Sequence, residues 1–309
     1  MRNTCLECVY QLAKIDDRVI FVGSDLGPGL LDEMKAEFPD RWYMEGISEQ
    51  NIIGVAAGLA MEGYIPYVNT IATFITRRCF EQVALDACLH NLPIRLIGNG
   101  GGLVYAPLGP THLAIEDVAI MRSLPNMTVV VPADADEMKR FMPKTLNHSG
   151  PIYIRLAKGG DPIVSRDEDN FEIGQSIVLR ETEDVLIVAN GIMVELGLQA
   201  AQALSDKGIK CGVMNFHTVK PLDAEAIFRE LKNARLLLTI EEHTLIGGLG
   251  SAVLEAFADK GIQSPQFVRM GIPDKFSEDY GSQQSLLKSY GLTTDMIVSV
   301  IQDRLTQNL

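Results

Sequence analysis

The chain lacks clusters of positive charge. Its 27 lysines and arginines are outnumbered by 40 aspartates and glutamates, which gives a formal net charge of -13 at pH 7, and no Lys/Arg-rich run occurs in it. Nucleic acids and anionic membranes attract such runs, so both are disfavoured as partners. Any phosphate group must therefore be held by a few local cations.

Long hydrophobic runs are also missing. The longest apolar stretches, such as Ile52 to Met61, are about half as long as a membrane-spanning helix. The N-terminus does not have the charged-then-apolar layout of a signal peptide. These absences predict a cytoplasmic protein that has no membrane as a partner.

Cysteines are few. There are five in 309 residues, an odd number that favours reduced thiols over a disulfide framework. Cys5 and Cys8 resemble a redox or zinc pair, but together with Val9 and Leu12 they also follow the spacing of one helix face. We interpret both cysteines as core residues of the first helix.

The residues that are present predict an α/β protein. Short β-rich runs alternate with helical segments, a pattern typical of two domains, each a mostly parallel sheet with helices on both faces. The predicted strands are Val19–Ser24, Trp42–Glu45, Ile65–Thr70, Ile94–Asn99, Thr128–Val131, Ile152–Leu156, Val185–Ala189, Lys210–Phe216, Leu236–Glu241 and Gln266–Met270. The main predicted helices cover 48–62, 72–90, 115–123, 135–147, 194–206, 223–232, 248–259, 283–289 and 294–305. A polar, acidic segment within 166–170 places the linker at about 160–180.

One acid interrupts an otherwise small and apolar segment, residues 43–63. This segment predicts a buried helix in which Gly54 and Gly58 allow another backbone to approach. Glu49 lies at its front, where a buried carboxyl must be paired, hydrogen-bonded or protonated, so Glu49 is a candidate catalytic residue. The alternative is a helix-terminal acid favoured by the macrodipole, with Ser48 as the cap.

Two loops at predicted strand ends carry further candidates. His112 could move protons near neutral pH, or it could be a structural histidine. Phe74 could stack on a flat heterocycle, or it could cap the core. The glycine-rich loop Gly100–Gly102 invites a comparison with phosphate-binding loops, but its spacing matches neither the dinucleotide nor the P-loop motif. A close-packed turn is the preferred interpretation of this loop.

Taken together, these segments resemble the C-terminal half of transketolase and of 1-deoxyxylulose-5-phosphate synthase, enzymes that depend on thiamine diphosphate. The matching stretches are VGSDL (22–26), EGISEQNIIGVAAGLA (45–60), TFITRRCFEQV (73–83), GPTHLAIEDVAIMRSLPNMTVVVPAD (109–134), HTVKPLD (217–223), EEHTLIGGLGSAVLE (241–255) and GIPDKF (271–276). They cover nearly the whole chain in the family's order. The resemblance implies a pyrimidine-binding domain over 1–176 and a transketolase C-terminal domain over 177–309.

The resemblance also implies the residues of a cofactor pocket. Glu49 matches the family's essential glutamate, which donates to the aminopyrimidine ring so that the cofactor's thiazolium carbon can lose its proton. Phe74 would stack on the pyrimidine, while Asp25 and Ile47 would line the pocket. Phe80 is a further pocket residue, although the sequence carries one extra residue just before it. Burial among isoleucines, including Ile47, is expected to keep Glu49 protonated against the pull of the helix N-terminus.

On the substrate side, the resemblance places His112 at the reacting sugar, as a catalytic residue. Lys158 falls where transketolase has an arginine that holds the sugar phosphate, and a lysine can do this as a point charge. Two positions depart from the family. Leu108 replaces an aspartate and Gly100 a histidine, both of which contact the sugar in transketolase.

A segment that binds magnesium and diphosphate in the family, Gly-Asp-Gly followed by an asparagine, is missing. The resemblance therefore implies a split enzyme that uses thiamine diphosphate and Mg²⁺, in which a separate N-terminal subunit binds the diphosphate and supplies most of the Mg²⁺ coordination. The apolar helix over 50–61 predicts a homodimer core, and hence a heterotetramer with that partner.

The predicted function is that of the pyrimidine-binding subunit of a transketolase-like enzyme, which transfers a two-carbon ketol unit between sugar-like molecules. One alternative is a β-type subunit of a 2-oxo acid dehydrogenase, or a relative of deoxyxylulose-phosphate synthase. A non-enzymatic alternative is a regulatory or scaffold subunit that kept only the dimerisation surface.

The substitutions at Leu108 and Gly100 generate a substrate prediction. A site that hydrogen-bonds a hydroxyl discriminates by roughly four to five orders of magnitude, whereas an apolar wall discriminates far less. We expect poor use of xylulose 5-phosphate and better use of a deoxy or otherwise modified sugar. The test is to measure kcat/KM for xylulose 5-phosphate with ribose 5-phosphate as acceptor, and for the modified sugar as donor or as acceptor. Transketolase-like efficiency on xylulose 5-phosphate with ribose 5-phosphate would contradict the prediction.

Overall fold

A computed structural model describes residues 1–24, 29, 31–231 and 234–306. Its strands are β1 (Val19–Ser24), β2 (Trp42–Glu45), β3 (Ile65–Ile71), β4 (Arg95–Asn99), β5 (Thr128–Val130), β6 (Ile152–Leu156), β7 (Ile177–Arg180), β8 (Val185–Ala189), β9 (Cys211–Asn215), β10 (Thr218–Lys220), β11 (Leu236–Thr244) and β12 (Gln266–Ile272). Its α-helices are α1 (Arg2–Ile15), α2 (Asp32–Glu37), α3 (Glu49–Met61), α4 (Phe80–Gln82), α5 (Asp117–Ser123), α6 (Ala135–Phe141), α7 (Met193–Ser205), α8 (Ala224–Glu230), α9 (Leu249–Lys260), α10 (Gln283–Ser289) and α11 (Thr294–Thr306).

The strands form two sheets. Within the described residues, the first sheet has the order β10-β5-β6-β4-β3-β1-β2 and the second β12-β11-β8-β9-β7. Neighbouring strands run parallel except at one edge of each sheet, where β10 pairs antiparallel with β5 and β7 with β9. Central strands such as β1, β3 and β4 are buried along their whole length, as expected for parallel strands covered on both faces. The prediction of a two-sheet α/β fold is confirmed.

The two antiparallel edge strands and helix α2 were not predicted. The other strands agree with their predicted bounds to within three residues. A larger difference is found in the segment predicted as one helix over 72–90. It consists of two π-helical turns, Phe74–Arg78 and Val83–Leu89, on either side of the short α4. A π-turn accommodates one extra residue in a helix, which agrees with the additional residue noticed in this stretch of sequence.

Helix α3 is buried on one face only. Ile52, Ile53 and Ala56 are fully buried against the first sheet, whereas Val55 is 39% exposed. A Cβ atom added at Gly54 or Gly58 would meet no atom within 4 Å. The prediction of a buried helix is therefore wrong for the single chain, because the glycine-bearing face of α3 has no neighbour among the residues that the structure describes.

The cysteines are free thiols, and Cys5 is fully buried in α1 beside the half-buried Cys8. Burial raises the pKa of Cys8 to about 11. A protonated thiol in a packed helix is a poor nucleophile or metal ligand. The interpretation of these residues as core cysteines is confirmed.

Helix length also bears on the expectation that no membrane is involved. Across the ranges that the structure describes, we find no helix with both the length and the apolar character needed to cross a bilayer. The helix α1, for example, has 14 residues, or about 21 Å at 1.5 Å per residue.

The glycine-rich loop joins the two sheets. Arg155, at the end of β6, donates to the Asp117 carboxylate over 2.8 Å and to the backbone oxygen of Glu242 over 2.8 Å. The Glu242 side chain accepts a 2.8 Å bond from Gln283 and a 3.0 Å bond from the backbone N–H of Leu103. Burial raises the pKa of Glu242 to about 7.

Glycine is required at Gly101 and Gly102 because the side chains of Arg155 and Glu242 pass close to the backbone there. A Cβ at Gly101 would lie 2.5 Å from Arg155 Nε, and one at Gly102 would lie 2.4 Å from the Glu242 carboxyl carbon. The interpretation of this loop as a close-packed turn is confirmed.

We predict that Gly102→Ala is markedly destabilising. Gly102 has φ +65° and no free space, whereas Gly261 has φ +66° and nothing within 4 Å, so Gly261→Ala is a matched control. The control should lose about 1–2 kcal/mol from backbone strain, and Gly102→Ala a further ~1–3 kcal/mol from overpacking. Thermal unfolding midpoints measure the difference, and equal midpoints for the two variants would contradict the packing argument.

Candidate active site

Glu49 begins helix α3, and its side chain is only 3% exposed. Ser48 precedes it but makes no capping bond, and its buried hydroxyl has no hydrogen-bond partner among the described residues. The Glu49 carboxylate accepts a 2.8 Å bond from Arg78. Glu49 is thus a buried acid satisfied by an arginine, and the suggestion that Ser48 caps the helix is wrong.

Arg78 ends the π-helical turn that starts at Phe74. Its guanidinium carbon lies 3.9 Å from the centroid of the Phe74 ring. The same guanidinium therefore contacts both the aromatic ring and the Glu49 carboxylate. Phe74 is half-buried and does not simply cap the core, because one face of its ring carries this cation.

His112 completes the cluster. Its ring centroid lies 5.3 Å from that of Phe74, at an interplanar angle of 65°. The loop carrying His112 is held from the π-turn, because Thr73 donates to the His112 backbone oxygen over 3.0 Å and Arg77 forms a 3.0 Å ion pair with Glu116. Glu49, Phe74 and His112 lie on three separate segments, so the fold brings together the residues that the sequence singled out.

Cys79 lies beneath the same cluster. Burial, with a smaller contribution from the charge of Glu49, raises the pKa of Cys79 to about 12. Its thiol donates to the backbone oxygens of Phe74 and Ile75 over 3.3 and 3.1 Å. Cys79 therefore stays protonated, and the cluster can offer a carboxyl, an imidazole and an aromatic face, but no thiolate.

The predictions for three other pocket residues, Ile47, Phe80 and Asp25, differ in how the structure bears on them. Ile47 is 77% exposed, so the expectation that it buries Glu49 is wrong in the single chain, while its place in a cofactor pocket stays a prediction. Phe80 is half-buried and packs against the core behind α4, and its place in the pocket also stays a prediction. Asp25 lies outside the described residues.

Lys158 lies apart from this cluster, at an exposed position after β6. It lines a cavity of about 230 Å³ together with Arg2, Leu108 and Gly100. The two departures from the family pattern thus face the same cavity as the predicted phosphate ligand. A Cβ at Gly100 would lie 2.2 Å from the Tyr105 ring, so this ring takes the space that a side chain at position 100 would need.

The acidic segment at the end of β11 has a structural role. Glu241 accepts 2.7 and 2.9 Å bonds from the backbone N–H groups of Leu249 and Gly250 at the start of α9. His243 accepts a 3.2 Å bond from the backbone N–H of Ala119. These side chains hold the glycine-rich turn and the neighbouring helix α5 in place. In the described ranges no group of three or more His, Cys, Asp or Glu residues is arranged to hold a metal.

The contacts of two arginines at the site were not predicted from the sequence. Arg78 was not singled out in the sequence, because its contact with Glu49, 29 residues earlier, depends on tertiary packing. Arg2 lines the same cavity as Lys158, although most of the sequence of the first sheet separates the two residues. No local pattern indicates either contact, although an extra residue that forces a π-turn is a recognised sign of a functional site.

Comparisons with known proteins identify the class of protein. The family model described as "Transketolase, pyrimidine binding domain" matches residues 1–160, and the one described as "Transketolase, C-terminal domain" matches residues 174–297. The chain belongs to the transketolase family.

Two similar proteins of comparable length are described as subunits. The 6-deoxy-6-sulfo-D-fructose transketolase subunit SqwH of Clostridium sp. (strain MSTE9) is 37% identical over 300 residues, which cover 96% of this chain and 92% of that protein. One of the subunits of the apulose-4-phosphate transketolase of Actinobacillus succinogenes is 35% identical over 286 residues, which cover 90% of this chain and 92% of that subunit. A 1-deoxy-D-xylulose-5-phosphate synthase of Geobacter sulfurreducens is 39% identical over 290 residues, covering 93% of this chain but only 45% of that protein.

A solved structure described as "Split gene transketolase, inactive beta4 tetramer" has a TM-score of 0.90 and 37% identity, and the match covers 99% of this chain and 98% of that one. The transketolase of Campylobacter jejuni has the same fold, with a TM-score of 0.78 at 22% identity over 46% of its chain. The resemblance noticed in the sequence is confirmed, both for the family and for the portion of the enzyme that this chain represents.

Proposed function

We propose that this chain is the pyrimidine-binding subunit of a split, thiamine diphosphate-dependent transketolase that moves a two-carbon ketol unit between sugar-like molecules. The observation that carries the proposal is the cluster of Glu49, Phe74 and His112 in a chain that matches transketolase subunits over nearly its full length. A scaffold that had lost catalysis would have no use for a buried acid beside an aromatic face and a histidine.

The residues of the cluster suit an aminopyrimidine. Arg78 already places a flat, nitrogen-bearing group between the Phe74 ring and the Glu49 carboxyl, and a pyrimidine ring could use the same two partners. Phe74 would stack on the ring, and Glu49 would hold a proton at a ring nitrogen. When bound, thiamine diphosphate supplies the reactive thiazolium carbon.

On the substrate side, His112 would donate or accept protons at the sugar's hydroxyl or carbonyl oxygens. Lys158 and Arg2 bring two positive charges to one cavity in a chain of net charge -13. That local charge suits the anionic end of a sugar derivative, and the apolar Leu108 in the same cavity suits a position without a hydroxyl.

A partner subunit would bind the diphosphate and Mg²⁺, for which this sequence has no Gly-Asp-Gly segment. The open face of α3 supports self-association. Large apolar side chains are exposed around it, with Ile47 77% and Met61 57% exposed, and Gly54 and Gly58 leave room for a second backbone. Small residues at a helix crossing permit such close packing. We infer a homodimer core in a heterotetramer with the partner.

The isolated chain should be dimeric, bind thiamine diphosphate only weakly and have no ketol-transfer activity, because the diphosphate site would lie on the partner. Adding the partner should produce both tight binding and turnover. Light scattering and calorimetry with and without the partner measure this. Micromolar, magnesium-dependent binding by the chain alone, or a monomer at high concentration, would contradict the split architecture.

In the assembled complex, Glu49→Gln should abolish most turnover while cofactor binding changes little. Glutamine keeps the shape of the side chain and a polar contact, but it cannot exchange a proton with the pyrimidine. Loss of such a group typically lowers the rate by about two to four orders of magnitude. The measurement compares steady-state turnover and cofactor affinity between the unchanged complex and the Glu49→Gln complex.

Glu225→Gln is the control for a helix-terminal acid, since Glu225 is an ion-paired but exposed acid in the first turn of a helix, α8. If Glu49 were only a helix-terminal acid, both variants would lose under about 1 kcal/mol of stability and keep their activity. Near-normal turnover of Glu49→Gln would therefore refute the catalytic assignment. Turnover of pyruvate in place of ketoses would favour the synthase or 2-oxo acid dehydrogenase alternatives, the former being supported by the Geobacter relative.

A further inference from the structure

Arg78 occupies both contacts that a pyrimidine ring would need. One nitrogen of its guanidinium lies 2.8 Å from Glu49 Oε2, and its central carbon lies 3.9 Å from the Phe74 ring centroid. A guanidinium is flat, delocalised and able to donate to a carboxylate while it stacks on an aromatic face. In shape and bonding it therefore resembles the aminopyrimidine end of the cofactor.

These contacts also satisfy the buried acid. The Glu49 side chain is 3% exposed, and an unpaired carboxylate at that depth would be strongly unfavourable. In this structure the carboxyl acts as an acceptor from an arginine, whereas catalysis would need it to donate to a ring nitrogen. The arrangement is stable without cofactor, but it is not a catalytic arrangement.

We propose that Arg78 closes the pyrimidine pocket of the cofactor-free chain and that thiamine diphosphate must displace it in order to bind. This inference rests on the proposed function, since it assumes that Glu49 and Phe74 hold the pyrimidine. It adds an autoinhibitory contact that keeps the acid paired until the cofactor arrives.

The structure leaves Arg78 free to move aside. Its side chain is 41% exposed, so the guanidinium can reach solvent without any change in the core. The preceding arginine, Arg77, has a separate task, because it pairs with Glu116 and donates to the backbone oxygen of Thr111 over 3.3 Å. Release of Arg78 therefore need not disturb the loop that holds His112.

If Arg78 competes with the cofactor, its replacement should raise the affinity for the cofactor and lower the stability of the cofactor-free chain. Arg78→Ala should bind thiamine diphosphate about tenfold more tightly than the unchanged chain, because a partly exposed ion pair and a cation–π contact no longer compete. The cofactor-free variant should unfold at a lower temperature, because Glu49 loses its partner. An arginine with a merely structural role would give weaker binding together with lower stability.

The experiment uses the full chain and thiamine diphosphate with magnesium as the probe. Affinity is measured by saturation-transfer NMR titration, and stability by thermal unfolding without ligand. Arg78→Gln is the second variant in case the alanine variant does not fold, since its amide can still donate to Glu49 but carries no charge. It should show a smaller gain in affinity.

Arg166→Ala is the matched control. Arg166 pairs with the buried Asp169 at side-chain exposures of 52% and 5%, close to the 41% and 3% of the Arg78–Glu49 pair, and it lies in the linker region. This variant should lose stability without any gain in cofactor affinity. Raising the salt concentration should narrow the affinity difference between the unchanged chain and Arg78→Ala, because screening weakens the competing ion pair.

The possible outcomes separate this inference from the proposed function. Tighter binding by Arg78→Ala or Arg78→Gln, but not by Arg166→Ala, would support it. If the unchanged chain binds and neither Arg78 variant binds more tightly, the inference is refuted while the proposed function stands. If none of these proteins binds the cofactor at millimolar concentration, removal of Arg78 has not opened the pocket and the inference is refuted. The proposed function, which expects only weak binding without the partner subunit, is then tested separately by Glu49→Gln in the assembled complex.

Discussion

The burial of one carboxyl group constrains the whole site. Glu49 is almost completely enclosed at the start of α3, and a charged group in such a place needs a donor within hydrogen-bond distance. The fold meets this requirement with a residue from a different segment, at the end of a π-helical turn. The turn, its aromatic residue and the loop of His112 are then positioned relative to Glu49 through direct contacts. A cofactor would have to enter a site in which the Glu49 carboxylate is already paired with the Arg78 guanidinium.

The second organising feature is the contact between the two sheets. Arg155, Asp117 and Glu242 form a buried network through a loop in which glycine is the only residue that fits. This network lies on the carboxyl side of the first sheet's strands, the side on which ligands bind in such folds. Arg155, Asp117 and Glu242 thus have a structural role, because their bonds join the two sheets.

The sequence was most informative where burial dictates composition. Strands such as β1 and β6 could be predicted to the residue, because a parallel strand covered on both faces is mostly apolar. The edge strands β7 and β10 were not predicted; each pairs antiparallel, at one edge of its sheet, with a strand that is distant in sequence. Glu49, Phe74 and His112 could be identified from their type, position and family resemblance. Their arginine neighbour could not, because contacts between residues far apart in the chain follow from the complete fold.

Strand β10 has a consequence for how this family can recombine. It follows the strands β7 to β9 of the second sheet in the chain, yet it pairs with β5, with Thr218 opposite Val130 and, after a shift in register, Lys220 opposite Val129. Lys220 also bonds the backbone oxygen of Arg122 over 3.1 Å. A chimera joined near the linker would bring a foreign edge strand to the first sheet, and a mismatched strand would leave unpaired backbone groups open to other chains. The two halves are therefore expected to be inherited together, as one unit of exchange.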